Sequence, residues 1–245
     1  MAAARVSTSD PARALDDPSR RSKPATAPFV PFELFETLRW SAGEGFYLLD
    51  LHLARLAASA AHLGFQCDLD AARQMLATCS ESLGDGVFRV RLWLNPAGQL
   101  RTTAVTTSPP SSDAIYRFIL SEQRIDSGDD IVYHKTTRRE VYENELARLS
   151  AATGCDEVIF CNERGELTEG TRTNLFLERA GRLLTPPVAC GLLNGTLRQA
   201  LFNDPETAIE ECVLFPGDLA TADCVFLGNS VRGLVRALPV AETSP

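Results

Sequence analysis

The chain has 245 residues, 44% of them apolar and 23% charged, which is enough for one large domain or two small ones with a useful core. A formal net charge of −8 argues against a nucleic-acid surface, and no apolar run approaches membrane-spanning length. The seven cysteines are scattered and never fall as Cys-x-x-Cys, and with three histidines they make no zinc pattern; they are read as reduced thiols of a cytoplasmic protein.

Residues 1–28 carry Pro, Ser, Ala and mixed charges with no apolar period, and a disordered leader is expected there. Residues 32–39 alternate as a strand, with Phe32, Leu34, Glu36 and Leu38 on one face and Glu33, Phe35, Thr37 and Arg39 on the other. A turn at 43–45 precedes a second expected strand, 46–49. Asp50 is the expected N-cap of a helix over 51–63 that Gly64 closes. Its core stripe is Leu53, Leu56, Ala60 and Leu63; His52, Arg55, Ser59 and His62 form a stripe on another face. A helix over 71–83 follows, then strands over 87–94 and 99–106 around the turn Asn95-Pro96-Ala97-Gly98. Residues 29–106 therefore read as a small α+β domain, and 107–113, rich in Thr, Ser and Pro, as a linker. A larger domain is expected over 114–245. Its elements are strands over 117–120 and 131–133, a helix over 139–151, a strand over 157–161, a hairpin turn at 162–165, a strand over 174–177, a helix over 196–202, and a strand over 225–227 that ends at Gly228-Asn229-Ser230.

Four places could carry chemistry. Of the 24 basic residues only Lys23 and Lys135 are lysine, and Lys23 falls in the leader. Arginine can replace lysine as a surface charge but not as an amine nucleophile, because a guanidinium keeps its proton. Lys135 is thus a candidate for imine chemistry, and the competing reading is a lone surface lysine left by compositional bias. Neighbouring His134, Arg138 and Arg139 would lower its pKa. The segment 166–176 sets Glu169, Gly170 and Asn174 before an apolar strand, where a carboxylate could polarise a ring nitrogen or simply sit in a polar loop. Gly191 to Arg198 runs a Gly-containing turn into a helix N-terminus, which suits phosphate and is also an ordinary turn. Arg55, beside His52 and Ser59, could pair with phosphate or be solvated.

In this order the segments resemble the fold-type IV pyridoxal-phosphate enzymes: branched-chain aminotransferases, D-amino-acid aminotransferases and 4-amino-4-deoxychorismate lyases. The landmarks are Phe35-Glu36-Thr37-Leu38-Arg39, His52-Leu53-Ala54-Arg55-Leu56, the Lys135 segment, Leu167 to Phe176, Gly191 to Arg198, and Gly228-Asn229-Ser230. The resemblance covers nearly all of the chain beyond residue 32. It implies an α/β (α+β) fold with a small N-terminal α+β domain and a larger, mixed, barrel-like C-terminal domain. It implies pyridoxal 5′-phosphate held by Lys135, with Arg55, the backbone N–H groups of Thr196 and Leu197, and Ser230 on the phosphate, and Glu169 and Asn174 near the ring. It also implies a homodimer. Lys135-Thr136, Asn194-Gly195 and the start 31–40 look most like the lyase branch, in particular the lyase half of enzymes fused to aminodeoxychorismate synthase, so a functional link to that synthase is expected. In this branch Thr37 assists proton transfer to the leaving group; the alternative is an aminotransferase using the same residues. Two departures stand out. Residues 27–31 replace a Gly-rich stretch, and Leu94-Asn95-Pro96 stands where Ser-Arg-Gly is often found. Arg91, Arg139, Arg172 and Arg232 are candidate ligands for substrate carboxylates, without ranking.

Overall fold

The polypeptide builds two sheets in succession. A computed structural model describes residues 32–109, 111 and 113–241; the expected leader and Lys23 lie outside the described residues. The first sheet has the order β2-β1-β3-β4, all antiparallel: β1 is Leu34–Ser41, β2 Gly45–Phe46, β3 Val87–Leu94 and β4 Leu100–Thr106. Strict alternation along β1 buries Leu34, Glu36, Leu38 and Trp40 on one face. Helices α1 (Leu49–Leu63) and α2 (Leu69–Glu81) cover that face through Leu53, Leu56, Ala60 and Leu76. The opposite face of β1 turns Phe35 and Thr37 towards the second part of the molecule, opposite Trp93 and Arg91 of β3.

The strand expected over 46–49 is cut short. Leu48 takes a left-handed conformation (φ 56°) and α1 starts at Leu49, so Asp50 lies inside the first turn instead of capping it and bonds Arg73 Nη2 at 2.7 Å. Asp68, by contrast, caps α2, its carboxylate accepting from the N–H groups of Asp70 and Ala71.

The chain crosses to the second sheet between Thr106 and Ile115. Strand β5 (Ile115–Ile125) leads to a single 3₁₀ turn, Asp130–Tyr133, then α3 (Glu140–Thr153), β6 (Glu157–Asn162), β7 (Leu167–Gly170), β8 (Asn174–Arg179) and β9 (Arg182–Thr185). Helix α4 (Thr196–Asn203), β10 (Ile209–Glu211), α5 (Pro216–Thr221), β11 (Cys224–Asn229) and β12 (Gly233–Pro239) follow. The order is β10-β9-β8-β11-β12-β5-β6-β7, and β7 also pairs with β8, which closes strands β5–β8, β11 and β12 into a barrel. Phe118, Ile159, Leu167, Leu175, Leu177 and Leu227 form one core of this part, and α3 packs Tyr142 and Leu146 onto Val158 and Phe160 of β6. Among the described residues no helix is long and apolar enough to cross a membrane, and the seven cysteines are all free thiols.

The turn before Lys135 corrects the strand expected over 131–133. Asp129 caps it, its side chain accepting from Ile131 N–H at 3.0 Å, and three apolar residues are too few to outweigh that local bond. Lys135 gets its rigid platform from another source. Phe35 N–H donates to Lys135 O at 3.0 Å, Thr137 N–H donates to Glu33 O at 2.9 Å, and Leu34 bridges Thr136, so the lysine segment is laced to the edge of β1.

Candidate active site

A cavity of about 220 Å³ opens between the two sheets. Its wall includes every candidate residue except Leu197: Lys135 and Thr37, Arg55, Glu169, Asn174, Thr196 and Ser230, and also Arg91, Arg139, Arg172 and Arg232. Leu197 is buried just behind, with its side chain against Gly228.

Lys135 Nζ lies 4.6 Å from the centre of the Phe35 ring. Burial, helped by the charges of Arg139 and Arg55, pushes its ammonium down to a pKa of about 7, so a large share of the amine is uncharged near neutrality. Glu169 is not in a loop, as the sequence suggested, but on β7. It stands opposite Asn174 at the seam that closes the barrel. It is 3% exposed, and burial pushes its carboxyl up to about 7. Asn174 Nδ2 donates to Leu193 O at 2.9 Å and reaches Glu169 Oε2 at 3.5 Å, while Glu169 Oε1 is buried with no partner among the described residues. A buried acceptor left empty costs free energy, so the atom calls for a donor from within the cavity.

Beside this seam is a cradle of backbone and cation. Gly195 caps α4, and a Cβ there would collide with Asn174 Oδ1, so only glycine lets the helix start this close to the β7–β8 seam. The first N–H groups of α4 have no helical partner and suit an anion. Arg55, from α1, bonds Asn194 O with Nη1 at 3.3 Å. Ser230 Oγ donates to Thr37 O at 3.4 Å, which ties the turn after β11 to β1.

Arginines line the remaining wall. Arg89 and Arg91 share a face of β3, Arg172 lies on the β7–β8 turn, and Arg232 bonds Ser108 O at 3.1 Å. None of the four makes an ion pair among the described residues. Arg139 is 9% exposed, donates from Nη2 to Thr171 O at 2.8 Å and lies over the Tyr142 ring. Sequence reasoning missed Arg89, Tyr116 and Glu157 in this wall. The signal for Arg89 was present, since residues two apart on a strand share a face. Glu157 is buried, accepts from Arg172 N–H at 3.2 Å and Thr173 Oγ at 3.1 Å, and so shapes the turn that presents Arg172.

Residues 33–240 match the amino-transferase class IV family. The chain belongs to that family. It is 40% identical to a Mesorhizobium loti structure assigned as an amino-acid aminotransferase, with a TM-score of 0.80 over 85% of this chain and 100% of the other. A Schizosaccharomyces pombe protein assigned as an aminodeoxychorismate lyase is 29% identical over 85% of this chain and 90% of its own length. A Legionella pneumophila structure assigned as a 4-amino-4-deoxychorismate lyase is 26% identical, with a TM-score of 0.73 over 86% of this chain and 83% of the other. Class IV enzymes use pyridoxal 5′-phosphate, and the residues of this cavity fit it. The unpartnered Glu169 Oε1 can take a ring N–H, the glycine-capped start of α4 with Arg55 can take a phosphate, and the buried amine of Lys135 lines the same cavity.

Proposed function

We propose that the protein is a lyase that converts 4-amino-4-deoxychorismate into 4-aminobenzoate and pyruvate, on the route to folate. The observation that carries this reading is the unpaired arginine wall. The guanidinium groups of Arg89, Arg91, Arg172 and Arg232 line the cavity without an ion pair among the described residues, and a dicarboxylate substrate supplies two carboxylates. A branched-chain amino acid would instead need an apolar side-chain pocket, and this wall, though it includes Phe35, Leu193 and Val231, is mostly arginine and other polar side chains. The likeness to the Schizosaccharomyces pombe protein along most of both chains supports the same branch.

In this reading Arg55, Ser230 and the start of α4, with the backbone N–H groups of Thr196 and Leu197, hold the cofactor phosphate, and Glu169 keeps its ring nitrogen protonated beside Asn174. When bound, pyridoxal phosphate supplies an electron sink for the carbon that bears the substrate amine. Lys135, uncharged above about pH 7, takes the proton from that carbon. The ring–oxygen bond breaks, the ring becomes aromatic, and the departing enolpyruvyl oxygen takes a proton relayed through the hydroxyl of Thr37, which lines the same wall; the proton that Lys135 took up resupplies that hydroxyl. The enol then ketonises to pyruvate. Substrate atoms are only redistributed between the two products, so no keto-acid acceptor is needed. The scattered free thiols support a cytoplasmic enzyme, and the family resemblance supports a homodimer with a functional link to the synthase that makes its substrate.

The likeness to the Mesorhizobium loti structure favours one alternative, an aminotransferase using the same residues. The test is product analysis with substrate generated in situ by a synthase. Equal amounts of 4-aminobenzoate and pyruvate without added keto acid are expected, and Thr37→Ala should slow pyruvate release while keeping the bound cofactor. Product that appears only with 2-oxoglutarate, or faster turnover of branched-chain or D-amino acids, overturns the lyase reading.

A further inference from the structure

Glu36 is an anomaly of β1. It occupies the buried face between Leu34 and Leu38 and is 1% exposed. A carboxylate in such a place needs partners, and it has two. Arg55 grips it with one edge of the guanidinium, Nε to Oε1 at 2.8 Å and Nη2 to Oε2 at 2.6 Å. His52 Nδ1 meets Oε2 at 2.6 Å, and the other ring nitrogen, Nε2, lies 3.2 Å from Thr196 Oγ. Burial would raise the Glu36 pKa, but Arg55 and His52 outweigh it and hold the carboxyl down at about 2. Glu36 is therefore an anion, His52 Nδ1 carries the proton it donates, and burial holds the imidazole below its ordinary range. In the resulting tautomer Nε2 accepts from the Thr196 hydroxyl.

We propose that Glu36 and His52 are positioning residues that join Arg55 on α1 and Thr196 on α4 into one preorganised phosphate cradle, an inference that rests on the reading of the cavity as a pyridoxal-phosphate site. Glu36 fixes the guanidinium plane and, with Asn194 O, leaves two of its five N–H donors for the cavity. His52 occupies the Thr196 hydroxyl, so this residue offers its backbone N–H, not a rotating O–H, at the start of α4. Neither Glu36 nor His52 lines the cavity; both act through their partners, in the way that outer residues aim a binding group.

The experiment uses full-length chains titrated with pyridoxal 5′-phosphate and, separately, with pyridoxal, which lacks the phosphate. Bound chromophore is followed by absorbance. Glu36→Gln should weaken the phosphorylated ligand about ten- to a hundredfold, the range a charged hydrogen bond spans, with pyridoxal changed by less than about twofold. In an Arg55→Ala background the same substitution should add little, because the group it aims is gone. His52→Asn keeps a donor towards Glu36 and removes the nitrogen that faces Thr196, so it should give a smaller loss with the same preference for the phosphorylated ligand. It decides the matter if Glu36→Gln does not fold. Equal weakening of both ligands, or a Glu36→Gln effect undiminished beside Arg55→Ala, overturns the positioning role. An Arg55→Ala chain that binds both ligands as wild type does overturns the phosphate reading itself, a separate outcome.

Discussion

Removing the charge of Glu169 is the sharpest perturbation of the cavity. Glu169→Gln keeps the shape of a side chain that is 3% exposed and leaves Asn174 Nδ2 an acceptor at the seam. What it removes is the anion whose Oε1 has no partner among the described residues. A hydrogen bond between that anion and a buried ring cation is worth about 2–3 kcal/mol, and its loss corresponds to a roughly thirtyfold or larger drop in turnover, up to about 150-fold. Cofactor retention should change much less, because Arg55, α4 and Lys135 are untouched. The assay is pyruvate release coupled to lactate dehydrogenase at saturating cofactor, with bound chromophore measured on the same sample. Turnover within about threefold of wild type would refute the argument, since the electron sink would then be maintained by another group. Loss of chromophore in step with activity would also refute it, because Glu169 would then hold the cofactor without tuning it.

Borohydride reduction of the cofactor-loaded protein should fix the cofactor to the peptide containing Lys135, and a label on Lys23 or on no lysine sinks that assignment. The shift of Lys135 to about 7 makes its amine the charged form at low pH, so cofactor capture should fall about tenfold from about pH 8 to about pH 6 in stopped-flow absorbance; a flat profile counts against the shift. Gly195→Ala drives a methyl group into Asn174 Oδ1 in a backbone conformation alanine accepts (φ −63°, ψ 146°), so its cost is steric alone. About 1–3 kcal/mol of overpacking should lower the melting temperature by several degrees and weaken cofactor binding, and an unchanged melting curve would mean the Asn174 side chain moves aside freely.

Strict periodicity made the first sheet legible. The alternation of β1 and the run Val87–Leu94 were visible because one face of each strand meets a core. The chemistry was legible for a different reason: losing nearly every lysine made the one at 135 informative. What failed was local. The turn Asp130–Tyr133 was read as a strand because Ile and Val favour strands, whereas the Asp129 cap decided the outcome. Strands β7, β9, β10 and β12 and helix α5 went unread; β7 and β10 have only four and three residues and exist through their partners across the barrel. Glu36 was placed on the correct face, but its partners, 16 and 19 residues away on α1, could not be paired with it from strand period alone.

Arg139 separates two accounts of the cavity. The sequence offered it as a substrate ligand, and the structure ties its Nη2 to Thr171 O and buries it over Tyr142. Its charge acts on both buried titrating groups in the same direction. It opposes the proton on Lys135, second only to burial, and it is the strongest influence favouring the anion of Glu169. Proton removal by Lys135 and ring protonation by Glu169 need that combination: a neutral amine and a charged carboxylate. Without Arg139 both pKa values rise, so at neutral pH the amine keeps its proton and the carboxyl becomes neutral, each the wrong form. Arg139→Met, which preserves contact with the Tyr142 ring, should therefore move the midpoint of cofactor capture above about 7, measured as capture rate against pH. Such a shift with substrate KM unchanged at high pH identifies Arg139 as the setter of the protonation states. A raised KM with an unmoved midpoint would refute this and return Arg139 to the group of substrate ligands.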